Sequence, residues 1–331
     1  MFIISSYSTA VLFCVVTMLC WGSWANTQKL AARQWRFELF YWDYVLGIVL
    51  TALLFGLTLG STGAAGRSFL SDLRQADAAS VGQAVLGGII FNAANILLVA
   101  AIALAGMAVA FPVGIGIALV WGVLVNYWGN PLGDSGRLFL GVGLVVVAIL
   151  LNAFAYRRAA AQARQVSGRG LLLAVMAGLL MGFFYKYVAA SMFPDFAVPA
   201  AGKLSPYSAV FCFAGGVLLS NFLFNTLLMR RPFSGAPVSY ADYFRGSARS
   251  HLMGVLGGAI WCVGMAFSIL ASGKAGPAIS YGLGQGATVV AAIWGIVIWK
   301  EFRNAPRGTP LILNGMLACY LLGLMLIIAA R

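Results

Sequence analysis

Long apolar runs separated by short polar loops follow one another from the beginning of the chain to its end. Each run has about the 20 residues that an α-helix needs to cross the hydrocarbon core of a bilayer. The runs cover residues 8–28, 42–60, 83–104, 107–128, 136–156, 170–192, 207–228, 250–272, 276–299 and 309–330. The pattern predicts an all-α membrane protein with ten transmembrane helices, because the loops leave no room for a soluble domain.

The composition supports a lipid environment. Hydrophobic residues make up 62% of the chain and charged residues 9%, whereas a soluble domain carries about 25% charged residues. The formal net charge of +13 comes from basic residues in the loops. It therefore reports topology, and we expect no nucleic-acid partner.

The basic residues also predict the orientation. Fourteen lie in the loops after the odd-numbered helices, and six lie on the other side. The fourteen are Lys29, Arg33, Arg36, Arg157, Arg158, Arg164, Arg169, Arg230, Arg231, Arg245, Arg249, Lys300, Arg303 and Arg307. The positive-inside rule places this side in the cytoplasm. We therefore predict a multi-pass protein of the cell membrane with both termini on the non-cytoplasmic side.

An internal repeat is visible at a shift of 170 residues. The segment 86–91 falls on 256–261, with Phe91 on Trp261, and Gly106 falls on Gly276. The predicted units are a first repeat (1–157), a central cytoplasmic loop (158–169) and a second repeat (170–331). Five helices is an odd number, so the two repeats would insert in opposite orientations, as in many transporters. Chance similarity between glycine-rich apolar segments is the alternative.

Few residues are available for catalysis or for a metal. His251 is the only histidine, the eight acids lie mostly in or beside loops, and the five cysteines lie inside apolar runs without metal-ligand spacing. No nucleophile with a base and no membrane-embedded carboxylate pair is apparent. The sequence predicts neither an enzyme nor a cofactor or metal site.

Polar and aromatic side chains at membrane depth are the candidate substrate ligands, because a polar group in lipid needs a cavity or a partner. They are Trp21, Trp24, Asn26, Asn92, Asn95, Lys186, Tyr281 and Gln285. Amides and hydroxyls beside aromatic rings suit a neutral solute that forms hydrogen bonds. Two alternatives stay open: the amides link helices, or the tryptophans belong to an interfacial belt.

Asp43 and Lys186 are the candidates for proton coupling. Asp43 lies among Tyr41, Trp42 and Tyr44, and aromatic cover disfavours an ionised carboxylate. As an acid at the predicted start of helix 2, it alternatively complements the helix dipole. Lys186 lies deep in helix 6, and it either faces a cavity or extends to the surface.

Several of these motifs resemble a known family. Trp21-Gly22-Ser23-Trp24, followed by Tyr41-Trp42-Asp43-Tyr44, resembles the beginning of plant ureide permeases, and the segment from Gly87 through Asn95 and Gly106 to Asn126 resembles their third and fourth helices. The resemblance implies the drug/metabolite transporter superfamily, two inverted five-helix repeats and proton-linked uptake of allantoin, uracil or related oxo-heterocycles. Gly22, Trp24, Asp43, Asn95 and Asn126 match the family pattern. Residues 157–169 lack the nucleotide-loop-like motif of the plant proteins, so the substrate can differ.

The prediction is a secondary active transporter that imports a small polar metabolite with protons. A ureide or nucleobase-like heterocycle is the first substrate class. The alternatives are a sugar carrier of the glucose or rhamnose type, and an uncoupled channel or receptor. The expected partners are the small-molecule substrate, protons and the lipid bilayer; the oligomeric state stays open.

Overall fold

The structure is a computed structural model that describes residues 1–31, 35–159, 167–233 and 235–331. In these ranges ten helices are long and apolar enough to cross a membrane, which confirms the all-α prediction. They are α1 (Tyr7–Leu30), α2 (Phe37–Leu57), α3 (Ala78–Ala105), α4 (Met107–Gly129), α5 (Ser135–Ala159), α6 (Gly168–Ser191), α7 (Pro206–Arg230), α8 (Ala248–Ala275), α9 (Pro277–Ile298) and α10 (Thr309–Ile328).

The last residues of α1 and α5 meet the segment that follows α9 at one end of the bundle, where Lys29 and Tyr156 both contact Glu301. This end carries the loops with the fourteen basic residues, and we call it the basic end. Arg33, Arg164 and most of the predicted central loop lie outside the described residues.

Helix α2 begins at Phe37, earlier than the predicted start at residue 42. The apolar run extends through Glu38 because that carboxylate is paired with the Arg36 guanidinium at 2.7 Å. Glu38 therefore occupies the first turn, and Asp43 lies in the second turn with its residue 2% exposed. Asp43 is thus a buried acid and not the first-turn acid that the sequence suggested.

Helices α3 and α7 cross in backbone contact. A Cβ atom on Gly88 would overlap the carbonyl oxygen of Phe213, and a Cβ on Gly216 would overlap that of Val85. Small residues allow such an approach between membrane helices. Any larger side chain at either glycine would force the two helices apart.

Helices α2 and α8 cross in the same way. A Cβ on Gly258 would overlap the carbonyl oxygen of Tyr44, and a Cβ on Gly47 would overlap that of Val255. The positions in α8 are those of α3 shifted by 170 residues, and the positions in α2 are those of α7 shifted by 169.

Helices α3 and α8 also have the same length, 28 residues. Each ends at a glycine with nearly the same conformation, φ 80° and ψ 155° at Gly106 and φ 82° and ψ 153° at Gly276. Residues with a Cβ rarely adopt this positive φ. In both places the next helix begins at the following residue.

Helix α9 is discontinuous. It consists of Pro277–Gly284, Ala287–Ile293 and a π-helical turn at Trp294–Ile298. The first break falls at Gln285 and Gly286, in the middle of the span. Breaks and π-turns in helices are frequent at functional sites.

Two short helices outside the spans were not predicted. Phe69–Gln75 lies at the end opposite the basic end, and Tyr240–Phe244 lies at the basic end. The second begins with a capping box, in which Ser239 and Asp242 bond reciprocally.

Candidate functional site

A cavity of about 120 Å³ lies in the centre of the bundle. This is roughly ten times the space that one water molecule needs. Six helices contribute to its lining, and none of the lining residues is charged. They are Trp21, Trp24, Phe91, Asn95, Leu98, Ile115, Met181, Phe184, Trp261, Gln285, Ala287, Thr288 and Ala291.

Aromatic rings form much of the cavity wall. The rings of Trp21 and Trp261 are stacked with centroids 5.9 Å apart, and Phe91 packs on Trp261 at 4.4 Å. The Trp21 indole donates a hydrogen bond of 3.2 Å to the carbonyl oxygen of Trp261. Trp21 is therefore anchored between α1 and α8, and its face is available for stacking on a planar molecule.

A buried hydrogen-bond chain fixes the orientation of Asn95. The Asn95 Nδ2 donates to the Tyr41 hydroxyl at 3.0 Å, and that hydroxyl donates to Asn92 Oδ1 at 2.8 Å. The Asn92 Nδ2 donates to the carbonyl oxygen of Val217 and to Ser220 Oγ. Because a carbonyl oxygen only accepts, the direction of the whole chain is set. Asn95 therefore keeps its carbonyl oxygen for the cavity.

Gln285 lies at the break of α9. Its backbone carbonyl accepts a hydrogen bond from the Thr288 hydroxyl at 3.0 Å. Its side-chain amide has no hydrogen-bond partner among the described residues, and it lines the cavity. This amide offers both a donor and an acceptor to a bound molecule.

The cavity is closed toward the end opposite the basic end. The hydroxyl of Tyr281 donates to the carbonyl oxygens of Ala118 at 3.1 Å and Met181 at 3.2 Å. The Tyr185 hydroxyl bonds to Ser268 and Ser280 in the same layer. Both tyrosines are fully buried, so they form a tight layer of packed side chains.

A second cavity, of about 140 Å³, lies on the other side of the first, toward the basic end. Thr288 and Ala291 line both cavities. The second cavity also includes Asn26, Asn152 and Glu301. We call the first the central cavity and the second the basic-end cavity.

Asp43 is the centre of a polar cluster at the basic end. Its Oδ1 accepts a hydrogen bond of 2.6 Å from the Tyr243 hydroxyl and lies 2.9 Å from His251 Nδ1. The rings of Trp35 and Tyr243 both pack edge-on against the imidazole. Burial and the hydrogen bond to Asp43 raise the pKa of Tyr243 above its ordinary value, so this phenol stays protonated and donates.

The predicted ligands divide into two groups. Trp21, Trp24, Asn95 and Gln285 line the central cavity. The other four do not: Asn92 lies behind Asn95 in the hydrogen-bond chain, Asn26 lines the basic-end cavity, Tyr281 belongs to the closed layer, and Lys186 is exposed on the helix surface.

Residues that the sequence analysis did not select include Phe91 and Trp261 in the central cavity and His251 beside Asp43. Phe91 and Trp261 are matched by the 170-residue shift, and their rings contact each other. That match was visible in the sequence. His251 had no such signal, because its pairing with Asp43 joins two helices far apart in the chain. Among the described residues no group of three or more metal-ligating side chains occurs.

Comparison with known proteins adds independent information. The family profile described as "Ureide permease" matches residues 40–169 and 157–330. Ureide permease 1 of Arabidopsis thaliana is 23% identical over 390 aligned positions, covering 100% of this chain and 99% of the relative. Ureide permease 4 of the same plant is 22% identical with the same coverage.

One solved structure, titled only as the crystal structure of a protein, has the same fold. It superposes with a TM-score of 0.60 at 20% sequence identity, and the match covers 97% of this chain and 96% of that one. The two profile matches meet at 157–169, where the central loop is predicted, and together they extend over nearly the whole chain. The chain therefore belongs to the ureide permease family, and it is a membrane transporter and not an enzyme.

Proposed function

We propose that this protein is a proton-coupled carrier that imports a small neutral oxo-heterocycle of the ureide or nucleobase type. The observation that carries the proposal is the pair of amides in the central cavity. The carbonyl oxygen of Asn95 and the whole amide of Gln285 have no partner among the described residues, and both face an uncharged, aromatic cavity.

The chemistry of this pair suits a ring with adjacent N–H and C=O groups. The Asn95 oxygen accepts from an N–H, while the Gln285 amide accepts from a second N–H or donates to a ring carbonyl. The faces of Trp21 and Trp24 allow the ring to stack. A charged substrate would have no counter-ion among the lining residues, and its desolvation would be unfavourable.

The relatives' names support the substrate class, since both are called ureide permeases. The transport cycle we propose follows the inverted repeat of the drug/metabolite transporter superfamily, with units 1–157 and 170–331. Its support is the correspondence of α3 with α8 and of α7 with α2: equal helix lengths, equal glycine termini and equal crossings. The central cavity lies where Phe91 meets its counterpart Trp261.

Proton coupling is assigned in this proposal to Asp43 with His251. A buried carboxylate and an imidazole 2.9 Å apart share one proton between two sites. Asp43 lies on α2 and His251 on α8, so a change in their protonation acts directly on one of the two glycine crossings. Gly254 of α8 packs directly on the Asp43 side chain.

Transport assays on purified protein in liposomes test the function. A carrier accumulates labelled allantoin or uracil against preloaded unlabelled solute, and the uptake rate saturates. A channel would give flux without this counterflow, and a receptor would give no flux. Counterflow of glucose or rhamnose in place of the heterocycles would assign the sugar alternative.

Removing either cavity amide is expected to weaken substrate binding several-fold. Asn95→Leu and Gln285→Met keep the approximate size of the side chain, so each mainly removes hydrogen bonds worth about 0.5–1.5 kcal/mol. The measurement is the concentration of unlabelled allantoin that halves counterflow. Asn126→Leu is the control, because Asn126 is buried outside both cavities and bonds to its own helix at Gly122. Unchanged affinity in both cavity variants would place the substrate elsewhere.

The orientation is proposed from the basic loops, with the basic end in the cytoplasm of a cell whose outer membrane layer is the site of uptake. A reporter fused after Arg331 should be active only on the non-cytoplasmic side. Activity of a cytoplasm-specific reporter at this position would reverse the assignment of both ends.

A further inference from the structure

We propose that the basic-end cavity is the release vestibule for substrate and that Glu301 is the gate residue at its mouth. The proposal rests on the carrier function above, and it adds a path and a gate. Neither follows from the family or from the residues of the central cavity.

The path follows from the two cavities and the layer on their far side. Thr288 and Ala291 of α9 line both cavities, so only the space beside these two side chains separates them. On the other side of the central cavity, Tyr185 and Tyr281 are fully buried and bonded to four neighbouring groups. The structure is thus closed toward the opposite end, and its internal space extends toward the basic end.

Glu301 connects three helices at the mouth of the vestibule. Its Oε1 lies 2.9 Å from the Lys29 ammonium at the end of α1, and its Oε2 accepts a hydrogen bond of 2.6 Å from Tyr156 of α5. Partial burial opposes ionisation of Glu301, but hydrogen bonds from Tyr156 and Lys29 outweigh it and hold the pKa of this carboxyl below its ordinary value. The bridge therefore contains an ionised carboxylate at neutral pH.

Two tryptophans reinforce the closure between α9 and α1. The Trp299 indole donates to Asn26 Oδ1 at 2.7 Å, and the Trp294 indole donates to Ser23 Oγ at 2.8 Å. The Lys29 ammonium also lies 4.8 Å from the centre of the Trp299 ring. Opening the vestibule requires these contacts to separate together with the Glu301 bridge.

The backbone around the gate has the features of a hinge. The π-turn Trp294–Ile298 ends just before Lys300, which has a φ of 52° and is the only described residue other than glycine with a positive φ. This conformation turns the chain so that the Glu301 N–H bonds back to Gly295. A Cβ on Gly295 would lie 2.7 Å from both Glu301 Oε2 and the Tyr156 hydroxyl, so the gate closes directly on a glycine.

The vestibule also has the polarity that a neutral solute needs in transit. Asn152 lines it, and the buried Oδ1 of this residue has no hydrogen-bond partner among the described residues. An N–H group of a passing heterocycle satisfies this acceptor. The same class of substrate thus fits both cavities.

The test uses a cysteine at the junction of the two cavities. Ala291→Cys, reconstituted in oriented vesicles, is exposed to a charged, membrane-impermeant thiol reagent from each side, with the wild type as the blank for its own cysteines. Adding Glu301→Gln should raise the labelling rate from the basic-end side about tenfold, the change that 1.4 kcal/mol produces. Asp134→Asn, which removes an exposed ion pair with Arg137 at the opposite end, should leave the rate unchanged.

An unchanged rate in the Glu301→Gln variant overturns the gate, and labelling from the opposite side overturns the vestibule. Thr288→Cys serves as a second reporter if Ala291→Cys does not fold. The reagent reports access without any substrate. Failure of wild-type counterflow with intact gating would therefore reject the proposed function and leave the gate standing.

Discussion

Asp43→Asn is expected to abolish accumulation of substrate driven by a proton gradient while counterflow of labelled substrate continues. The variant keeps the shape of the side chain and its capacity to accept a hydrogen bond from Tyr243. It removes the ionisable group that shares a proton with His251. Exchange needs only a substrate-loaded carrier that changes its orientation, whereas accumulation needs a group whose protonation differs between the two orientations.

The measurement compares uptake of labelled allantoin in liposomes with and without an imposed pH gradient. His251→Gln is the companion variant, and it should reduce gradient-driven uptake without removing exchange, because Asp43 keeps its carboxyl group. Asp134→Asn changes an exposed acid at the opposite end and should accumulate substrate normally. If Asp43→Asn still concentrates substrate, the coupling group lies elsewhere.

Asp72→Ala is expected to reduce the free energy of unfolding by about 3–5 kcal/mol, because it leaves a partly buried guanidinium without its carboxylate. Asp72 is fully buried, lies 3.0 Å from Arg67 Nε and accepts from the Ser205 N–H at 2.7 Å. Arg67 also donates to the carbonyl oxygens of Ala200 and Lys203. The pair thus attaches the loop before α7 to the short helix Phe69–Gln75.

Denaturant or thermal unfolding of the purified protein measures the effect. Asp134→Ala is the matched control, since its ion pair with Arg137 lies in solvent at the same end of the bundle. Losing that pair and the N–H bond that Asp134 accepts from Arg137 should cost no more than about 2 kcal/mol. Equal effects of the two substitutions would mean that burial of Asp72 contributes nothing.

The number and type of the helices could be predicted because lipid imposes one requirement on each span. About 20 apolar residues must form a helix there, since no other backbone conformation bonds all its polar groups internally. The exact ends were less predictable. Glu38 suggested a loop, but its pairing with Arg36 lets α2 begin at Phe37.

The rotation of each helix was much harder to predict than its existence. Helix α6 is apolar around its whole circumference, so the pattern does not indicate which face is buried. Lys186 was thus equally compatible with the cavity and the surface, and it is exposed. Asn95 and Gln285 were better candidates because an amide in lipid needs a partner, and both line the central cavity.

Contacts between distant helices were beyond the sequence pattern. The Asp43–His251 pair joins residues 208 positions apart, and the Lys29–Glu301 pair joins residues 272 positions apart. No local spacing encodes either pair. The internal match at 170 residues was the exception, because it aligned Phe91 with Trp261, and these two rings meet at the central cavity.

The most direct measurement of the central claim is an experimental structure of the protein with allantoin or uracil bound. The account predicts density for the ring in the central cavity, with an N–H within hydrogen-bond distance of Asn95 Oδ1, the Gln285 amide on the ring edge and a tryptophan face against the ring. Density for the ligand outside the central cavity, or a ring that contacts neither amide under conditions that saturate transport, would contradict it.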